Sequence, residues 1–363
     1  MKIVIDFRIF GTKPGGLGRY NQEFLNNLKK LDQENHYILI FTEDPNISLP
    51  ANFEIKICDC HWYGLKEQLV LPWLLYKLKP DLVHFTHFNV PIFYYGNFVV
   101  TIHDLIMTKF PTQKSSTLSP ILFKIKYWFY QQVIRNAIKN SKKIIAVSKF
   151  TAKDIKEYFE LTDDEAKKIN VIYEGVSKYN SSQKTPFQLP QNYFLYVGNA
   201  YPHKNLEFLM HTFNEFWQKH PEYYLILVGQ KNYFYQRLAK NIKYSNVIFA
   251  GYIADDKLPN YYKNAKAYIF PSLYEGFGLP PLEAMSYGLP VLSSNTTSLP
   301  EILGHSVLYF DPQDKDDLKN KMFEIVNNTD LRNTLIRAGY KQIEKYSWHQ
   351  MTKAILEIYK ILV

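Results

Sequence analysis

The stretch AKAYIFPSLYEGFGLPPLEAMSYGLP, residues 265–290, changes character twice within its length. Its apolar opening, ending at Pro271 and Ser272, reads as a buried strand and its exit turn. Pro280 and Pro281 suit the first turn of a helix, where a missing N–H costs nothing. Gly288, with Pro290 two residues on, is a stop signal. The expected helix therefore runs roughly from Pro280 to Tyr287, and its N-terminus opens onto Gly276-Phe277-Gly278. Such an end carries unpaired N–H donors and a partial positive charge, a seat for a phosphate or an oxygen-rich ligand. Two glutamates eight positions apart flank it: Glu275 on the loop, and Glu283 in the expected first turn, aimed at the same mouth. Carboxylates accept strongly, and sugar hydroxyls are donors that come in adjacent pairs. A glutamate early in a helix is also stabilised by the dipole alone, and a glycine-rich turn can be only a turn. The combination after a buried strand is what makes the segment informative.

Outward from this segment the chain alternates strand-like and helical patterns. In the expected first domain, residues 1–176, the strand-like runs are KIVIDFRI, HYILIFT, FEIKIC, DLVHFT, NFVVTI, KKIIAVS and INVIYEG. Residues 177–192 are polar, contain two prolines and lack periodicity, which reads as a linker. A second alternating series follows from 193 to 345, and a last helix from 346 to 363. Two successive α/β series predict two doubly wound parallel sheets facing each other across a cleft, with ligands at the carboxyl ends of strands.

A chain of 363 residues is long enough for two domains, and 46% hydrophobic residues indicate a folded protein. Cys58 and Cys60 are too close for an ordinary disulfide and too few for a metal cage, so a reduced, cytoplasmic setting is expected. No secretory pattern opens the chain, and no apolar run reaches the ~18–20 residues of a membrane span. The net charge of +9 is unevenly placed. Residues 105–150 hold nine basic side chains (Lys109, Lys114, Lys124, Lys126, Arg135, Lys139, Lys142, Lys143 and Lys149) and no acidic one. Over 118–140 a helix is expected with Leu122, Ile125, Phe129 and Val133 inward and Lys124, Trp128, Arg135 and Lys139 on another face. That second face fits an anionic membrane surface or an ordinary solvated one. Without a recognised binding module, nucleic acid is not expected as a partner.

Chemistry is sought at the strand ends. In FGTKPGGLGRY, Gly15, Gly16 and Gly18 allow close approach of backbone to a phosphate or sugar. As a dinucleotide fingerprint it is poor, since Asn21 stands where the third glycine belongs. Glu43, beyond the second strand, keeps a nicotinamide oxidoreductase open as an alternative. VVTIHDL puts His103 and Asp104 at a strand end, where a histidine can meet a ligand hydroxyl or serve structure alone. His84 and His87 read as structural. YFLYVGNAYPHKNLEFL sets Lys204 and Asn205 at a helix start, a position unfavourable for a cation unless an anion is near. Lys204 and the amides of Phe277, Gly278 and Leu279 would then hold a diphosphate from two sides. Asp314 and Asp316 read as the capped start of a surface helix, not a metal site.

EGFGLPPLE resembles the E-x7-E element of the retaining family-4 glycosyltransferases. GGLGRY, TIHDL, IIAVSKFT, NVIYEGV, YVGNAYPHKNLE and YSW extend the resemblance over almost the whole chain. It implies the GT-B fold, with the first domain, residues 1–176, on the acceptor side and the C-terminal helix crossing back onto it. It implies catalytic roles for Glu275, His103 and Lys204, on the donor sugar's hydroxyls, the sugar and the diphosphate. It implies donor-binding roles for Gly16, Asn205, Phe277, Gly278, Leu279 and Glu283, the last on the nucleotide ribose. Many relatives place an arginine just after the first C-domain strand's glycine; here Asn199-Ala200-Tyr201 stands there, so Lys204 acts alone or with His203 or Arg19. No metal or cofactor is expected beyond a nucleotide diphosphate sugar as co-substrate. TIHDLIMTKFP and VGNAYPHKNLE resemble the mannosyltransferase-like subgroup of O-antigen or capsule assembly. GDP-mannose is the first expected donor and a UDP-hexose the second, with a glycan or lipid-linked saccharide as acceptor. A non-catalytic nucleotide-sugar-binding protein is the remaining alternative.

Overall fold

The computed structural model describes residues 1–11, 15–60, 62, 64–111, 119–178 and 189–362. The chain forms two compact units, Met1–Gly175 with Ser347–Val363, and Val176–Tyr346. Of the expected linker, residues 179–188 lie outside the described residues, as do residues 12–14 of the glycine loop and Lys114 of the basic run.

The first unit runs β1 (Lys2–Asp6), α1 (Gly16–Leu31), β2 (His36–Phe41), β3 (Phe53–Ile57), α2 (Leu65–Leu78), β4 (Leu82–Phe85), β5 (Phe98–Ile102), α3 (Ile106–Lys109), α4 (Pro120–Asn140), β6 (Lys143–Ala146), α5 (Lys149–Tyr158), α6 (Asp163–Ala166) and β7 (Ile169–Val171). The second runs β8 (Tyr193–Val197), α7 (Leu206–Trp217), β9 (Tyr224–Val228), α8 (Tyr233–Asn241), β10 (Val247–Gly251), α9 (Leu258–Asn264), β11 (Ala267–Phe270), α10 (Leu279–Ser286), β12 (Val291–Ser294), α11 (Leu299–Leu303), β13 (Leu308–Phe310), α12 (Lys315–Asn327) and α13 (Thr329–Ile343). The last helix, α14 (Trp348–Leu362), belongs to the first unit.

The strand order is β3-β2-β1-β4-β5-β6-β7 in one sheet and β10-β9-β8-β11-β12-β13 in the other. Every strand pair is parallel. Strands covered on both faces need apolar side chains in both directions, and the runs IVI, YILIF, FVVTI and FLY supply them. In each sheet the order reverses beside the first strand, between β1 and β4 and between β8 and β11. Loops on either side of such a reversal diverge and leave a crevice at the carboxyl ends.

In the first sheet, Val4, Ile38, Ile40, Val83, Phe85, Val100, Ile102, Ile144 and Ala146 alternate onto one face. There they meet Leu71 and Leu75 of α2, Tyr130, Ile134, Ala137 and Ile138 of α4, and Ile155 of α5. The opposite face is covered by α1 and α14, which pack on each other. Tyr359 of α14 reaches His84 Nδ1 at 2.5 Å, and Thr101 Oγ1 lies 2.9 Å from His84 Nε2. Gly175 is required where the chain passes α14: a Cβ there would run into the backbone and ring of Trp348.

The inward stripe expected for α4 is corrected. Leu122, Ile125 and Phe129 are 54, 49 and 46% exposed, and the buried contacts come from Tyr130, Ile134, Ala137 and Ile138. The cause is length. At ~1.5 Å per residue the helix spans ~31 Å, whereas a five-residue strand spans ~17 Å, so one end overhangs the sheet. Its C-terminal half finds the core; in its N-terminal half Tyr127 packs against that core while Leu122, Ile125 and Phe129 stay exposed.

Candidate active site

In the second unit, β8 and β11 are hydrogen-bonded neighbours at the reversal of strand order, and each delivers one expected site residue. After β8 the chain turns through a single 3-10 turn, Pro202–Lys204, and Asn205 takes a left-handed conformation (φ 59°) before α7. Asn205 Nδ2 donates to Pro312 O at 2.9 Å, so this side chain pins the turn from which Lys204 projects. After β11 the chain leaves through Pro271 and Ser272, and Leu273 N donates to His203 O at 2.8 Å, joining the two exits. Lys204 Nζ donates to Glu275 Oε1 at 2.6 Å, with the side chains 13 and 10% exposed. The same ammonium lies 5.6 Å from the centroid of the Phe270 ring. A charge-assisted bond and an aromatic face thus hold the cation in one place.

The Glu275 loop is fixed from behind. Glu275 N donates to Thr297 Oγ1 at 3.0 Å, and Ser298 Oγ donates to Glu275 O at 2.9 Å and to Phe277 O at 3.2 Å. The Phe277 ring meets Tyr346 edge-on at 5.4 Å. Gly278 is left-handed (φ 108°), and a Cβ there would stand 2.8 Å from Leu299 Cδ2. Both the dihedral and the space require glycine. Buried Tyr196 and Tyr268 support the β8 exit, donating to Asn199 O at 2.7 Å and Val197 O at 3.0 Å. Burial pushes both phenols well above their ordinary range, and the Glu275 charge adds to it.

Two expectations are adjusted here. The helix begins at Leu279, so Glu283 opens its second turn and no acid lies in the first. Glu283 is buried and accepts from Tyr262 Oη at 3.4 Å, and its charge acts with that of Glu275 on the Tyr268 phenol. Pro280 and Pro281 lack N–H groups, so the amides this helix end contributes lie before Pro280, at Gly278 and Leu279. His203, expected as a helper for Lys204, carries no charge to offer: burial, then the Lys204 cation, pull its pKa down to about 2.

In the first unit, His103 follows β5 and is 8% exposed. Its Nδ1 lies 2.9 Å from Glu174 Oε1 and its Nε2 3.1 Å from Thr86 O. The Tyr20 ring meets it edge-on at 4.6 Å. A carboxylate and a carbonyl are both acceptors, so a ring nitrogen bonding to either must donate its proton. Gly16 heads α1, behind Gly15 in a left-handed cap (φ 80°). Glu43 is exposed, two residues past β2.

Sequence reasoning missed Glu174, although it stands in the quoted NVIYEGV, because pairing it with His103 needs the tertiary approach of β5 and the β7 exit. It also missed Thr297 and Ser298, whose hydroxyls carry no sequence pattern. A further buried network closes the β1 exit. Arg8 bonds Asp6 through Nε and Nη2 at 2.8 and 2.7 Å, and Nη2 reaches Glu67 Oε1 at 2.8 Å. Asp314 caps α12, accepting from the amides of Asp316 and Asp317. Among the described residues no three His, Cys, Asp or Glu side chains are grouped to hold a metal ion.

Comparison with known proteins agrees with this layout. Residues 14–178 match the family profile described as Glycosyltransferase Family 4, and residues 177–342 that described as Glycosyl transferases group 1. The chain is 28% identical over 302 residues to O-antigen chain mannosyltransferase B of Escherichia coli, covering 80% of this chain and 77% of that protein. It is 26% identical over 370 residues to O-antigen chain mannosyltransferase RfbU of Salmonella typhimurium, covering 97 and 98%. Sucrose-phosphate synthase of Thermosynechococcus elongatus superposes with a TM-score of 0.79 at 18% identity, covering 100% of this chain and 99% of that one.

Proposed function

Because this chain belongs to glycosyltransferase family 4 and has the GT-B fold, we propose that it moves mannose from GDP-mannose to a hydroxyl of a lipid-linked saccharide during O-antigen or capsule assembly. Glycosyl transfer itself follows from the family; donor, acceptor and residue roles are the proposal. The observation that carries those roles is the Lys204–Glu275 pair at the switch point between β8 and β11, beside the start of α10.

In this reading Glu275 accepts hydrogen bonds from the donor sugar's hydroxyls and Glu283 from the ribose. Lys204 and the amides at Gly278 and Leu279 bind the diphosphate and stabilise the charge that grows on it. Asn205 fixes the turn that aims Lys204, and Phe277 sets the loop. The family resemblance gives His103 a role on the sugar and Gly16 a role on the diphosphate. The acceptor oxygen bonds to the anomeric carbon as the bond to the diphosphate breaks. Its proton passes to the departing phosphate oxygen, so configuration is retained and GDP leaves. Lys204 supplies the positive charge for this step, and no metal ion is needed.

Membrane access is part of the proposal. Lys124, Trp128, Arg135 and Lys139 are exposed on α4, as a helix lying on an anionic inner-membrane surface requires. No helix among the described residues is long and apolar enough to cross a membrane. A UDP-hexose is the second donor.

The test is a thermal-shift panel of GDP, UDP, ADP and their sugars, followed by transfer assays in EDTA. Ligands that bind only the folded state raise the melting point, so GDP and GDP-mannose should raise it most. A larger shift with UDP-sugars reassigns the donor. A requirement for added divalent metal overturns the metal-free step, and tight NAD binding without any nucleotide-sugar response returns the oxidoreductase.

A further inference from the structure

The helix α2 is apolar on both of its faces. Leu71 and Leu75 are fully buried, yet Leu65, Leu69, Trp73 and Tyr76 are 77, 65, 63 and 48% exposed. These four recur every three or four residues, so they form one outward stripe. An outward stripe of large apolar side chains ordinarily marks a surface that another body covers.

The loop after β4 enlarges the stripe. Tyr76 Oη donates to Phe93 O at 3.0 Å and accepts from Tyr95 N at 2.9 Å, tying the loop to α2. The loop presents Phe93 and Tyr95, 53 and 75% exposed. Its inward residue Phe88 meets Tyr130 of α4 edge-on at 5.2 Å. Thus α2, this loop and α4 adjoin on one face of the first sheet. The overhanging half of α4 adds Ile121, Leu122, Ile125, Trp128 and Phe129, each at least 46% exposed.

At the surface α2 and α4 carry basic charges only, and the acid beside them, Asp59, pairs with Lys66 at 3.2 Å. Glu67 is the one acid in the two helices, and it is 1% exposed, bonded to Arg8. Lys66, Lys77, Lys124 and Lys126 are exposed, and Lys77 Nζ lies 5.3 Å from the centroid of the Trp73 ring. A second copy of this chain, meeting the face through a two-fold axis, would set lysines against lysines.

We propose that α2, residues 92–95 and the N-terminal half of α4 form one docking surface for an anionic lipid bilayer. The α2 stripe and Trp128 enter the interface while the lysines bind headgroups. This deepens the membrane reading above, which α4 alone carried, and rests on it for the acceptor's location.

The experiment is co-sedimentation of the full chain with vesicles of phosphatidylcholine, with and without phosphatidylglycerol. Wild type is compared with Leu69→Ser/Trp73→Ser and with Lys124→Ser/Lys126→Ser, each checked for folding by circular dichroism. Wild type should bind the anionic vesicles. The α2 variant should lose affinity by about tenfold or more, and the loss should persist in high salt, where the lysine contribution is screened. Turnover on a water-soluble acceptor should be unchanged in both variants. Wild-type binding by the α2 variant overturns the inference, and loss in the lysine variant alone leaves the membrane reading with α4. No wild-type binding overturns both. A concentration-dependent dimer that the α2 variant abolishes gives the face to a second copy and overturns it too. Vesicle binding without transfer to any acceptor removes only the transferase roles.

Discussion

Lys204 Nζ and Glu275 Oε1 are 2.6 Å apart although the residues stand 71 positions apart in sequence. The contact exists because β8 and β11 are hydrogen-bonded neighbours and the bond from Leu273 N to His203 O ties their exits together. It couples the charge proposed for the diphosphate to the carboxylate proposed for the sugar. Lys204→Met should lower transfer by about 10²–10³-fold, the usual cost of losing one preorganised donor. It also leaves a buried carboxylate without its partner, at a cost of about 1–3 kcal/mol in urea unfolding. Turnover near wild type in Lys204→Met would mean that the pair is structural.

The Gly278 position is limited by both its dihedral and its neighbour. Gly278→Ala must hold φ near 108° and place a methyl against Leu299. A loss of about 1–3 kcal/mol is expected from denaturant midpoints. Measured in a Leu299→Ala background, which itself loses stability through the cavity it opens, the Gly278→Ala increment should shrink but not vanish, because the dihedral strain remains. Full stability in Gly278→Ala would show that the loop has another way to reach α10.

The partner of His103 is a carboxylate that the chain brings from residue 174. Glu174→Gln keeps the shape and removes the charge that holds the ring. The expected result is a lower kcat with little change in donor KM, because the loss is of orientation in the transition state and not of ground-state contacts. Glu174→Asp should restore part of the rate. Equal loss of folding stability and no change in kcat would assign Glu174 to structure.

Stability should fall in mild acid because histidines are buried neutral. Burial, then the His103 charge, hold His84 at about 3, against an ordinary 6.5. Its folded value is depressed, so the unfolded chain takes up the proton first. The contribution is whole above about pH 6.5 and declines toward pH 3, by up to about 1.4 kcal/mol per pH unit. His203 behaves alike. Urea midpoints measured across this range should slope downward with acid, and His84→Gln should flatten the slope even if it lowers the plateau. An unchanged slope in His84→Gln would place the acid sensitivity elsewhere.

Much of this architecture is legible in the sequence because parallel strands announce themselves. YFLYV and AYIF are apolar in every position, and a strand buried on both faces has no alternative. The helix after EGFG is legible for a related reason, since Pro280, Pro281 and Gly288 each restrict the backbone locally. The α4 stripe was not legible. Periodicity gives the apolar side of a helix, but whether the sheet beneath is long enough to cover it depends on strand length. The outward stripe of α2 was hidden differently: LKEQLVLPWLLYKL places large apolar residues on both sides of the helix, so no single apolar face stands out. Glu283 was placed one turn early because Gly278, left-handed, lets the helix start a residue sooner. Glu174, Thr297 and Ser298 act through contacts between distant segments, which spacing along one chain does not encode.

The claim on which the rest depends is that Glu275 acts on the sugar and not on the nucleotide or the fold. It is tested most directly by measuring GDP affinity and mannosyl transfer in Glu275→Gln. The expected result is GDP binding within about threefold of wild type, with transfer lowered by about 10²-fold or more. Transfer at the wild-type rate with GDP binding intact would contradict it.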